Sequence, residues 1–271
     1  MIKSLILLLL LTLHSSLLSK DIEMNAVVLG ANEAPPYWSK KLPYDGIAGE
    51  IVHAISKAAN IKSKIVFKPL SRLIDDDENN DLGNPAFFMI NQDFAEIIPI
   101  AMYNVSIYYY APNHNKTLQF KSINDLKGMR IGVLKGTLID KSYFKKEGIL
   151  FKESYSHESL FKKLKLGRID MVIEIDLVSQ LTIKKFFENE IDNFVHIHIS
   201  NTSNPIAIML AEELPNVEWV AQRYRIGLDK IIQDGTYHDI LQKYYFDGVL
   251  PDNWFDELKR FDELYGVDED D

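Results

Sequence analysis

The chain of 271 residues contains no cysteine. Disulfides are therefore excluded, as are Cys-based zinc sites, thiol nucleophiles and a lipid anchor on a processed N-terminal Cys. The apolar core alone must hold the fold. Basic side chains are unevenly spread: no Lys or Arg falls between Arg72 and Lys116. Beyond residue 19 no apolar run approaches the roughly twenty residues that a membrane-spanning helix needs. Acidic residues outnumber basic ones, 39 to 30, for a net charge of −9. An acidic surface of mixed sign argues against nucleic acid as a partner and says nothing about the charge inside a cleft. Metal chemistry finds little support. His196 and His198 share one face of an alternating segment, but no third ligand accompanies them. Asp75-Asp76-Asp77-Glu78 lacks the glycine and spacing of a calcium loop. The sequence calls for no cofactor.

The first residues read as an export signal. Lys3 precedes an almost pure leucine run from Leu5 to Leu13, and Ser15, Ser16 and Ser19 follow. This is the layout of a secretory leader, expected over residues 1–19, and it places the mature chain in the periplasm. The run is too short to serve as an anchor.

The remainder alternates between strand and helix patterns. Ala26 to Leu29 is a short buried strand, and Ala34-Pro35-Pro36-Tyr37-Trp38 is a stiff turn bearing two aromatic rings. A helix carries Ile51, Ile55, Ala58 and Ala59 at helical spacing, and Lys64 to Phe67 is a second strand. This is the repeating unit of a mostly parallel, helix-covered sheet. Asp75 to Asn84 reads as an exposed acidic loop, and Ala86 to Ile90 as another strand. Ile97 to Tyr110 is rich in β-formers, interrupted by Pro99. A second unit begins near Ser122, with a strand from Arg130 to Val133 and another from Met171 to Ile175. Val217 to Gln233 is a long helix. After it, Gly235 suits a left-handed helix end and Thr236 a cap for the next helix.

Three stretches carry a resemblance. Asp125-Leu126-Lys127-Gly128-Met129-Arg130-Ile131-Gly132-Val133-Leu134-Lys135-Gly136-Thr137 reads as loop, strand and Gly-Thr turn. Leu164-Lys165-Leu166-Gly167-Arg168-Ile169-Asp170-Met171-Val172-Ile173 reads as a helix end feeding a strand. Asp234-Gly235-Thr236-Tyr237, ending in Lys243-Tyr244-Tyr245, closes the chain. Together they resemble the bacterial periplasmic solute-binding proteins of family 3, over roughly residues 24–247. The resemblance implies an α/β, two-lobed, type II periplasmic binding protein fold, each lobe a mostly parallel sheet flanked by helices, with two hinge crossovers. It implies a first lobe of 24–108 plus 206–254 and a second of 109–205; the acidic C-terminal tail, 255–271, reads as one or two amphipathic helical turns followed by a disordered stretch. It also implies a ligand held between lobes that close by hinge motion.

Candidate ligand contacts follow from the same positions. Gly136-Thr137, opening a helix, offers free N–H groups and a hydroxyl to an anion, or Thr137 simply caps its helix. Tyr37 lines the cleft, while Trp38 is either lining or core. Arg72, near the end of a strand, either grips an anion or is an exposed helix-start residue. Amino-acid binders of the family carry Thr-x-x-Arg after a strand. Here the segment is Ile90-Asn91-Gln92-Asp93-Phe94-Ala95-Glu96, so that clamp is missing and Asn91 and Gln92 are offered to a neutral polar ligand instead. The family's acid that grips the amino group falls at Ile175, with Glu174 and Asp176 on either side. Tyr103 and Tyr108 to Tyr110 add rings.

The expected function is capture of a small polar solute and delivery, as a monomer, to a membrane permease. A sensor working through a membrane receptor is an alternative. A cyclohexadienyl dehydratase-like enzyme using Glu174 as its acid is a more distant one.

Overall fold

A computed structural model describes residues 26–69, 72–73, 80–89, 93–115, 117–120, 122–135, 145–146, 148–198, 203–245 and 253–265. The expected leader at 1–19 lies outside these residues.

The strands build two five-stranded sheets. In the first, β1 (Val27–Ala31) runs parallel to β2 (Ser63–Phe67) and β3 (Asn80–Gly83). The late strand β10 (Asn204–Leu210) inserts antiparallel between β3 and β4 (Glu96–Tyr103). β10 is apolar almost throughout because it is covered on both faces. Pro99 does not break β4. It sits on the edge strand of the sheet, and the register with β10 shifts between Ile206 and Ala207, so the missing N–H costs no ladder bond.

The second sheet follows the order β7 (Leu150–Ser154), β6 (Arg130–Leu134), β8 (Met171–Ile175), β5 (Val105–Tyr110), β9 (Phe194–His198). Three parallel strands, β7, β6 and β8, continue into antiparallel β5 and β9. The chain passes between sheets at Asn104. β5 therefore lies wholly in the second sheet, and the crossing falls four residues before the boundary of 108 expected from sequence.

Helices cover both sheets. In α1 (Ile47–Ala59) the residues Ile47, Ile51, Val52, Ile55 and Ala59 form the buried stripe. Its first N–H groups, from Ile47 and Ala48, donate to the carbonyls of Pro36 and Tyr37 at 3.2 and 2.8 Å. This ties the aromatic turn to the helix start. Where a strand was expected at 86–90, Pro85–Phe88 instead forms the short helix α2. Pro85 occupies its first turn and the Asn84 side chain accepts from Ala86 N–H at 2.9 Å, while the strand lies earlier, at Asn80–Gly83. On the second sheet lie α3 (His157–Lys165), capped by Ser156, and α4 (Asp176–Phe186).

The chain returns to the first sheet through β10 and then forms α5 (Val217–Gln233) and α6 (Thr236–Tyr244). Gly235 takes the left-handed conformation, φ 85°, as expected. The cap comes from Asp234 rather than Thr236, its Oδ1 accepting the Thr236 N–H at 3.0 Å. The segment read as an acidic tail contains a three-turn helix, α7 (Trp254–Tyr265). Trp254, Leu258 and Phe261 are buried against the first sheet, with the acids turned outward. The amphipathic turns expected from residue 255 are here a longer helix that starts one residue earlier, at Trp254.

Candidate functional site

The lobes meet beside the crossing at Asn104. Its carbonyl accepts from the Asp176 N–H at 3.0 Å, and its side chain accepts from Ser203 Oγ at 2.8 Å. The first turn of α4 is thereby fixed to the crossing. Leu177 and Val178 of that turn are buried in the same apolar cluster as Tyr37, Trp38 and Tyr103 of the first lobe. The two cores are continuous at this point.

Polar groups from both lobes collect around this contact. Tyr37 stacks obliquely on Tyr103, with ring centroids 5.8 Å apart, and Tyr245 packs against the same cluster. The Tyr103 hydroxyl accepts from Asn84 Nδ2 at 2.7 Å. From the second lobe, Tyr108 donates to the Asp176 carbonyl at 3.3 Å. Burial pushes the Tyr37 phenol well above its ordinary value, and the neighbouring Tyr245 and the negative charge of Asp176 push it further. Burial, then Asp176, raise Tyr245 and Tyr108 in the same way. The Asp176 charge is thus felt on three phenols drawn from both lobes.

A cavity of about 390 Å³ opens at the carboxyl ends of β1 and β2, lined by Asn32, Glu33, Lys40, Phe67, Lys68 and Pro69. The carboxyl ends of parallel strands are where open α/β sheets place ligands. Asn32 is oriented by Trp38, whose indole N–H donates to its Oδ1 at 3.4 Å.

The residues proposed from sequence fall into three groups. Tyr37 is buried, at 4% exposure, on the side of its lobe that meets the other. Trp38 is core, and reaches the cavity only through Asn32. Arg72 is exposed one turn after Pro69, to whose carbonyl its N–H donates at 2.9 Å. Glu174 does not face the first lobe. It shares the sheet face of Val172, with Oε2 3.1 Å from His157 Nδ1 at the start of α3 and Oε1 accepting from the Ile175 N–H at 2.9 Å. Asn91, Gln92, Gly136 and Thr137 lie outside the described residues. Among those residues no group of three or more His, Cys, Asp or Glu is placed to hold a metal.

Sequence reasoning passed over Asp176 and Tyr245. Asp176 had a signal, because it adjoins the position where an acid was expected. Ile175 ends β8 and the chain turns into α4 at once, so strand alternation no longer decides which neighbour faces the cleft. Tyr245 lay in a segment read only as a helix end.

Solved structures supply the comparison. A histidine kinase sensor domain with similarity to periplasmic binding proteins matches with a TM-score of 0.59 at 15% identity, covering 84% of this chain and 98% of that one. ArtJ, the arginine-, lysine-, histidine-binding protein of Geobacillus stearothermophilus, matches with a TM-score of 0.58 at 19% identity, covering 87% and 100%. The fold is that of the two-lobed periplasmic binding proteins. An ancestral arginine-binding protein bound to glutamine shares it with a TM-score of 0.56 at 21% identity, covering 82% and 99%. No protein-family model matches the sequence, and no curated protein matches it significantly. Identity this low carries the periplasmic-binding-protein fold alone, and leaves the site and its ligand to be argued from the residues. Among the described residues no helix is long and apolar enough to cross a membrane.

Proposed function

We propose that this protein captures a small polar solute between its two lobes and delivers it to an ABC-type membrane transporter. The reading rests on one observation. At the lobe contact, Asp176 heads a helix of the second lobe whose first turn is bonded to the crossing at Asn104 and buries Leu177 and Val178 in one cluster with Tyr37, Trp38 and Tyr103 of the first. Phenols and a carboxylate favour hydrogen-bond donors and ammonium groups over anions. The Tyr37 surface and the neighbouring cavity would then receive the rest of the solute. Glu174, engaged by His157 and by the Ile175 N–H within its own lobe, is poorly placed to serve as a general acid, and binding is preferred to catalysis on that ground. The sensor domain among the structural neighbours favours a second reading, in which the solute-bound form is read by a membrane receptor.

The test is a thermal-shift screen of the protein lacking residues 1–19 against amino acids, amines, organic acids and sugars. A solute bound to the native state raises Tm by mass action. A hit that Asp176→Asn abolishes supports the reading. A hit consumed by the protein would make it an enzyme, and stabilisation by organic acids alone would contradict the chemistry assigned to the cleft.

A further inference from the structure

The wall of the cleft is supported from behind by the C-terminal helix. Trp254, the first residue of α7, is 1% exposed. Its indole N–H donates to the Tyr237 hydroxyl at 3.0 Å, and that hydroxyl donates to the Ile100 carbonyl on β4 at 2.8 Å. The indole is thus pinned to the sheet through a fully buried chain of hydrogen bonds. Its ring meets Tyr245 edge to face, with centroids 5.8 Å apart and planes 79° apart. Tyr245 in turn packs against the buried cluster that holds Tyr37, Tyr103 and the first turn of α4, where Tyr37 stacks on Tyr103.

We propose that Trp254 is a positioning residue for the cleft: by holding the Tyr245 ring against Tyr37 it sets the surface on which the second lobe closes. This rests on the solute-binding reading for its purpose, but not for its test. Tyr245 sits at the end of α6, and the residues joining it to α7 lie outside the described ones. The aromatic contact is the observed link between the helix and the site. Without it the Tyr245 side chain is free to change rotamer, the packing around Tyr37 loosens, and so does the seat for Leu177 and Val178.

The cysteine-free chain allows a direct measurement. Lys57→Cys on the first lobe and Lys162→Cys on the second, both exposed, accept a pair of labels whose separation reports lobe closure. Trp254→Leu is expected to shift the separation outward and broaden its distribution in the absence of any solute. Phe261→Ala removes an equally buried ring from the same helix, without contact to Tyr245. It should lower Tm yet leave the separation unchanged. Trp254→Phe, which keeps a ring beside Tyr245, should restore most of the wild-type separation. Should Trp254→Leu fail to fold, Tyr245→Leu makes the same test with α7 intact and should widen the lobes. An unchanged separation in the folded Leu variants, or an equal shift in Phe261→Ala, overturns the proposal. In parallel, L-arginine, L-glutamine, L-glutamate and choline are added to the wild type as probes. If none raises Tm or alters the separation, solute binding loses its support, while the solute-free distances still decide the role of Trp254.

Discussion

Gly227→Ala should destabilise the protein even though alanine is the better helix former. Gly227 lies within α5 where it crosses α1. A Cβ placed there would come 2.7 Å from the Ile55 carbonyl oxygen and 3.0 Å from Ala59 Cβ, where ordinary contact begins near 3.4 Å. Replacing a helical Gly by Ala contributes about 1 kcal/mol in intrinsic propensity. Against this, overpacking a close-packed contact costs about 1–3 kcal/mol, and the obstacle is a backbone carbonyl that no rotamer change can move. The α1–α5 crossing must open by several tenths of an ångström, loosening the cluster of Ile51, Ile55, Val220, Ala221 and Tyr224 around it. A fixed backbone obstacle puts the cost in the upper half of that range, about 2–3 kcal/mol, for a net loss of about 1–2 kcal/mol. In a chain of this length that lowers Tm by about 2–8 °C. Urea and thermal unfolding of the variant measure it directly. Ile226→Ala, on the exposed face of the same helix, serves as the control and should stay within about 0.5 kcal/mol of wild type. A Gly227→Ala protein as stable as wild type would refute the close crossing.

Other expectations follow from individual contacts. Tyr237→Phe strands the Trp254 indole N–H and the Ile100 carbonyl in the core, for a loss of about 1–3 kcal/mol by urea denaturation. Arg130 grips Asp170 through Nε at 3.0 Å and Nη2 at 2.6 Å, and the Arg130 hydrogen bonds hold the Asp170 carboxyl below the usual range. A depressed carboxyl stabilises the fold above its unfolded value and ceases to do so as pH falls through its folded one. Asp170→Asn should therefore cost about 1 kcal/mol at neutral pH, with the gap from wild type closing in acid, read as Tm against pH. At the alkaline end, burial pushes the Tyr224 phenol up to about 12. Its stabilising contribution is complete below an unfolded value of about 10 and disappears as pH rises towards 12, so tyrosinate absorbance and loss of helical circular dichroism should appear together in that window.

Much of the fold was legible because it depends on patterns that local chemistry enforces. Ala26 to Leu29, Arg130 to Val133 and Met171 to Ile175 are largely apolar runs between turn signals, and strands form there at Val27–Ala31, Arg130–Leu134 and Met171–Ile175. Gly235 ends a helix because no other residue takes a left-handed backbone so cheaply. The misreadings share a cause as well. Asn84-Pro85 favours a capped helical turn over the strand that Ala86 to Ile90 suggested by hydrophobicity, and the acidic surface of α7 hid how far its amphipathic turns extend. The site was less legible. Glu174 and Asp176 stand two residues apart, and only the strand-to-helix transition after Ile175 decides that Glu174 turns to His157 while Asp176 acts on the tyrosines. Tyr245 enters the site through Trp254, a contact without a local sequence signal.

The insertion of β10 between β3 and β4 gives the polypeptide a particular order of assembly. Until Asn204 to Leu210 joins the sheet, β3 and β4 each present a row of unpaired N–H and C=O groups. The second sheet has no such dependence, because all its strands lie between Val105 and His198. During synthesis or after dilution from denaturant, the later-encoded lobe can therefore condense first, while the earlier-encoded one waits for its last strand and for α5 to α7. Contacts between β3 and β10 span more than a hundred residues, and closing so long a loop is slow. The interval before that closure is when two adhesive strand edges are open to other chains, and substitutions in β10 should raise aggregation during refolding more than their effect on final stability suggests.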